Sequence, residues 1–284
     1  MNQPLTHVPP AARVHTRIEP PRGWTPVSLP EMWQHRDLLF YLVVRDLRSI
    51  TSSTSLGFYW LLLQPLAFAL VLTVVLGFLV KVPTGNMPYA LVVLSGLLPW
   101  TYVNNSIARA SSSMVANAHL LTKVYFPRLI IPVVPIVSGL IDFGVVFLVL
   151  LAAVVYFGIA PTWQWLLLPL PVLLAIGLAL GAGLWLCALT VRFRDVANMV
   201  PVLLQLGTYV SPVFYPRTLV PEAWLPVYDL NPMVGIIEAT RWSLLSLGPF
   251  PSGPVSISAI VVMILIGTGV FYFRVTEDIA ADIV

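Results

Sequence analysis

Long apolar stretches alternate with short polar breaks along this chain. Apolar runs of about 18 residues or more mark membrane-crossing helices, and such runs occur at 58–80, 89–108, 129–157, 165–191 and 255–273. A shorter apolar stretch at 199–215, with Pro201 and Pro212 inside it, brings the predicted spans to six. The second span is interrupted by Gly96 and Pro99. Pro83, Gly85, Asn86 and Pro88 force a tight hairpin between the first two spans, and Gly158 and Pro161 separate the third from the fourth. The segment 218–248 contains an apolar piece, Val234 to Leu247, below the usual spanning length, and reads as re-entrant. Non-helical backbone at that depth has to be buried in protein or line a wet cavity.

Ahead of the first span the pattern changes to a helical period over 31–55. Gln34, Asp37, Tyr41, Arg45, Arg48 and Ser52 form one polar stripe, with Leu39, Val43, Val44 and Leu47 turned away. With Trp33 and its arginines, this segment suits an amphipathic helix lying in the headgroup region. Residues 1–30 are rich in Pro and Arg, have no apolar core and therefore no signal peptide, and read as a disordered cytoplasmic tail. Between the second and third spans lies a polar, basic island, 111–128, expected as a loop or short helix at a membrane surface. Residues 276–284 form the C-terminal end, leaving 56–275 as the transmembrane domain.

Composition sharpens the reading. The chain is 58% hydrophobic and 10% charged, against about 25% charged in soluble domains, so the fold class is an all-α polytopic membrane protein. Charge gives orientation. Arg13, Arg17, Arg22, Arg36, Arg45, Arg48, Arg109, Lys123, Arg128, Arg192, Arg194 and Arg274 fall on one predicted face, and only Lys81, Arg217 and Arg241 on the other. By the positive-inside rule, both termini and the 111–128 island are cytoplasmic, in a multi-pass protein of the cytoplasmic membrane.

The chemistry expected of an enzyme is missing. Neither lysine, Lys81 or Lys123, sits in a phosphate-binding glycine loop, and there is no His-Glu-x-x-His or other metal-ligand spacing. The lone Cys187 reads as a packing residue. No catalytic, cofactor or metal site is expected, nor a nucleic-acid partner. Within the spans, Asp142 is the clearest buried charge, expected to be functional or to bond a neighbouring helix, with Ser138 as a candidate partner. Glu238 and Arg241 have the spacing of an i,i+3 pair. Aromatics crowd the span ends as an interface belt; among them Tyr59, Trp60, Trp100 and Tyr215 are candidates for lining a sugar path.

Several short motifs then fall in one order. Arg45-Asp46-Leu47 is followed by Leu56-Gly57, Trp60 and Gln64-Pro65-Leu66; then come Gly96-Leu-Leu-Pro99-Trp100, Leu121-Thr-Lys-Val-Tyr-Phe-Pro127, Arg192-Phe-Arg194-Asp195, Ser211-Pro212-Val213, Tyr215-Pro216 and Asn231-Pro232-Met233. Together they resemble the ABC-2 type permeases that export polysaccharides. The resemblance implies a homodimer working with two copies of a separate ATPase that binds MgATP. Their cargo would be a lipid-linked glycan such as an O-antigen, teichoic acid or galactan precursor. It also implies that the island docks on the ATPase through Asn117, His119, Leu120, Lys123 and Tyr125, and that Arg45 and Arg48 attract the lipid head group. The alternatives are an ABC-2 permease for a drug or another lipid, and a membrane-embedded glycosyltransferase or polymerase.

Overall fold

The computed structural model describes residues 29–52, 59–85, 87–121 and 126–283, and all regular structure among them is helical. Most of the tail expected over 1–30 lies outside this range, as do Lys123 and Tyr125.

The amphipathic region forms two helices, α1 (Leu29–Gln34) and α2 (Arg36–Ser52), broken only at His35. Asp37 in the first turn of α2 suits the positive end of its dipole. The face of α2 that points inward is centred on Leu42, which is 4% exposed, with Leu38, Leu39 and Val43 half-buried beside it.

The first span is α3 (Tyr59–Leu72), prolonged by a π-helical stretch from Thr73 to Leu79. The hairpin follows, with Gly85 in the left-handed region at φ +65°. Next comes α4 (Tyr89–Ala116), a helix of 28 residues. Gly96 and Pro99 do not interrupt it, because a membrane helix flanked by neighbours on several sides tolerates a proline. It also absorbs the first six residues of the polar island. The hydroxyls of Ser111, Ser112 and Ser113 bond carbonyls three or four residues back, which lets a triple serine continue a helix. A short helix, α5 (Ala118–Leu121), follows the turn at Asn117.

The third and fourth apolar runs form α6 (Ile130–Tyr156) and α7 (Pro169–Arg192). Between them lie Gly158, at φ +71°, and a 3₁₀ turn from Trp163 to Leu167. The next run gives α8 (Val196–Val210), only 15 residues long. Beyond it the chain is irregular through 3₁₀ turns at Arg217–Leu219 and Glu222–Trp224, the single turn α9 (Leu225–Tyr228) and α10 (Pro232–Leu245). The last helix, α11 (Ser252–Ile283), has 32 residues.

Four of these segments are long and apolar enough to cross a membrane: Leu62–Leu79, Ile130–Tyr156, Trp163–Arg192 and Ser252–Thr276. α4 has the length, but Asn104, Asn105 and Arg109 dilute its apolar character, and α8 has the character without the length. α4 packs on α6 and α7, α11 lies along α7, and α10 is wedged between α4, α7 and α11. One apolar cluster fills this bundle. A second, smaller one gathers Leu42, Met114, Ile130, Val191 and Phe273, so that α2 and one end each of α4, α6, α7 and α11 meet.

Candidate functional site

Polar groups in an apolar bundle must be paired, because each unpaired one forfeits its hydration. Two networks do this, at opposite ends of α4.

The first joins α2 to α4 and α6. Asp46 Oδ2 accepts from Arg109 Nη1 at 3.3 Å and, at close range, from the buried Ser138 hydroxyl. The other arm of Arg109 reaches Asp142 Oδ2 at 3.2 Å. One guanidinium thus serves two carboxylates, all three groups about a quarter exposed or less. One residue earlier on α2, Arg45 donates to Asn117 Oδ1 at 2.6 Å, and Asn117 Nδ2 in turn donates to the Ser113 carbonyl. Asn117 therefore terminates α4 and receives α2 at the same point.

The second network holds the irregular stretch after α8. Arg241, on α10, is 2% exposed. Its Nη1 donates to the Tyr215 carbonyl at 3.2 Å and to Glu238 Oε1 at 3.0 Å; its Nη2 donates to the carbonyls of Val213 at 3.2 Å and Val92 at 3.1 Å. The Tyr89 hydroxyl donates to the carbonyl between them, that of Phe214, at 2.6 Å. Three consecutive carbonyls of non-helical backbone are thereby satisfied by side chains, as burial without a helix requires. Asn231 caps α10 by accepting from Met233 N, and its amide donates to the Ser211 hydroxyl. Gly96 makes the fit with α4 feasible, since a Cβ there would stand 2.4 Å from the Val213 carbonyl oxygen. Nearby, Arg217 grips Asp229 with two hydrogen bonds, which push its guanidinium above the ordinary arginine range.

The expected site residues distribute unevenly over these networks. Arg45, Asn117 and Asp142 belong to the first, Glu238, Arg241 and Tyr215 to the second. Asp142 bonds Arg109, while Ser138, the partner the sequence suggested for it, serves Asp46. Glu238 and Arg241 form their i,i+3 pair. Arg48 and His119 are exposed, and Leu120 is half-buried against the second apolar cluster. Tyr59 is 75% exposed, whereas Trp100 is 6% exposed and rests on Gly207 of α8. The Tyr215 hydroxyl donates to the Tyr209 carbonyl and accepts from Tyr228. The Trp60 side chain lies outside the described residues.

Sequence reasoning missed Asp46 and Arg109 as site residues. The signal was there: a carboxylate inside a span calls for a cation on an adjacent helix, and Arg109 is the one basic residue of α4. The Arg217–Asp229 pair had no such signal, since it closes an irregular loop.

Residues 37–245 match the ABC-2 type transporter family. This chain belongs to that family. Over 211 residues it is 32% identical to the O-antigen export system permease protein RfbA of Myxococcus xanthus, covering 74% of this chain and 80% of that protein. An RfbA of Klebsiella pneumoniae is 27% identical over 72% of this chain and 79% of its own length. The polysialic acid transport protein KpsM of Escherichia coli is 26% identical over 70% and 78% respectively. As an ABC-2 permease, the chain keeps the family region from the start of α2 to the end of α10, and both polar networks lie inside it.

Proposed function

We propose that this ABC-2 permease is the membrane subunit of an exporter that carries a lipid-linked polysaccharide across the cytoplasmic membrane, driven by a separate ATPase. The observation that carries the reading is its similarity, over most of both chains, to permeases named for O-antigen and polysialic acid transport. The geometry adds support. Arg45, Arg128, Arg192 and Arg274 flank the second apolar cluster, at the end of the bundle where α2 and α5 lie. A positive end of this kind belongs in the cytoplasm, where an ATPase and an anionic lipid head group are met.

In this reading the protein is a homodimer binding two copies of the ATPase, which holds the MgATP. Both termini are cytoplasmic, with α4 and α8 completing six crossings. The corner Asn117–Leu121 and the residues after it, Lys123 and Tyr125 included, dock on the ATPase. The exposed Arg48 attracts the head group. Arg45 is already engaged by Asn117 and serves to hold the docking corner.

Co-expression of the chain with an ATPase subunit of a polysaccharide-export ABC transporter from the same organism, followed by affinity purification, tests this. The ATPase should co-purify, and His119→Glu, an exposed change on α5, should weaken its recovery by about tenfold through altered charge at the contact. Leu120→Asp is a poorer probe because Leu120 also packs on the chain's own core. An ATPase that binds no better than to an unrelated permease sinks the proposal.

A further inference from the structure

Asp46 and Arg109 sit where three helices meet, and neither has a part in docking or in the substrate path as described above. α2 lies at the positive end of the bundle, outside its core, yet it sends two adjacent side chains to two places on α4. Arg45 reaches Asn117 at the helix terminus, and Asp46 reaches Arg109. Those targets are eight residues apart, about 12 Å along the helix. Two grips at that separation fix both the position and the rotation of α2 relative to α4. The deeper grip continues inward, because Arg109 also bonds Asp142 and Asp46 also bonds Ser138, both on α6.

The cluster is held by shared bonds rather than by one-to-one pairs. Arg109 is divided between two carboxylates, and Arg109 Nε, Asp142 Oδ1 and the nearby Ser106 hydroxyl are buried without a hydrogen-bond partner among the described residues. Gly139 brings α6 against this point: a Cβ there would lie 2.6 Å from Ser106 Oγ and 3.3 Å from Arg109 Nη2. Close backbone approach and ionic contact together leave little slack between α2 and the two helices it touches.

We infer that Asp46 and Arg109 are the positioning residues that transmit movement of the docking corner into α4 and α6, making α2 a rigid lever rather than a passive interfacial helix. The inference rests on the reading of α5 as the ATPase contact. The lever works by coupling: force on Asn117 pulls α2 through Arg45, and α2 moves α6 through Asp46, Ser138 and Arg109. It requires no proton transfer and no ligand at the cluster.

The test uses the full chain co-expressed with its ATPase, with three readouts: recovery of the ATPase, ATP hydrolysis, and appearance of the glycan outside the cytoplasmic membrane. Asp46→Asn and Arg109→Gln should leave ATPase recovery at the wild-type level while export per ATP hydrolysed falls by roughly tenfold, the ordinary size of an energetic coupling between two sites. Arg109→Lys, which keeps the charge, should restore most of it. Where a variant fails to reach the membrane, Ser138→Ala serves instead, since it removes one bond to Asp46 without stranding a charge; export per ATP should then fall about threefold. Unchanged export per ATP in a membrane-inserted Asp46→Asn or Ser138→Ala chain overturns the inference. So does a parallel loss of ATPase recovery and export, which would make these residues part of assembly. Failure of the wild-type chain to bind the ATPase refutes the docking reading instead, and is seen before any variant is made.

Discussion

Arg241 anchors a stretch of backbone that has no helix of its own. Its four hydrogen bonds go to Glu238 and to three carbonyls on two different segments, α4 and the turn after α8. Arg241→Met keeps the volume of the stem and removes every donor, leaving the Val213 and Tyr215 carbonyls and the Glu238 carboxylate unmatched. The variant should lose about 3–5 kcal/mol of stability, read as a fall in the thermal midpoint of the detergent-solubilised protein. Asn231→Ala is a milder change. It removes the cap on α10 and the bond to Ser211, and should cost about 1–2 kcal/mol. If the milder change costs as much as the arginine, then the turn is held by its packing and not by the guanidinium.

At the scale of elements, α7 and α11 show how two apolar helices associate when lipid is as oily as they are. Association then depends on close packing at small residues. Gly181 and Gly269 face each other: a Cβ on Gly181 would stand 2.7 Å from the Leu265 carbonyl carbon, and one on Gly269 would stand 2.6 Å from the Gly181 oxygen. Gly181→Val should therefore push the helices apart at a cost of about 1–3 kcal/mol, lowering the thermal midpoint and broadening the size-exclusion profile. Hydrophobic runs made α3, α6, α7 and α11 legible in the sequence, because a lipid-facing helix must be apolar throughout. α4 was less so. It carries Asn104, Ser106 and Arg109 within its length, and its serines, expected in a loop or short helix at the membrane surface, instead continue the long helix, with their hydroxyls closing on its own carbonyls. Within the candidate site, Glu238–Arg241 followed from local spacing. The Asp46–Arg109–Asp142 chain joins residues as far as 63 positions apart, and contacts of that kind depend on how the helices come together.

For the whole molecule, the orientation proposed from the charge distribution, with the basic end in the cytoplasm, takes a form that can be measured. The basic end contains the turn between α7 and α8, with Arg192, Arg194 and Asp195 all exposed. The opposite end contains the 3₁₀ turn at Glu222–Trp224, where Glu222 is also exposed. Cys187 is 0% exposed, its sulfur 3.7 Å from the Ser113 hydroxyl, so the native thiol is silent and a single introduced cysteine reports alone. A membrane-impermeant thiol reagent added to intact cells (outer membrane opened where there is one) should label Glu222→Cys. It should reach Asp195→Cys only after the cytoplasmic membrane is permeabilised. The reverse pattern would place α2 and α5 outside the cell, beyond reach of any ATPase, and with them the coupling role. Equal labelling of both positions in intact cells would mean mixed insertion, which the imbalance of basic residues between the two ends is large enough to prevent.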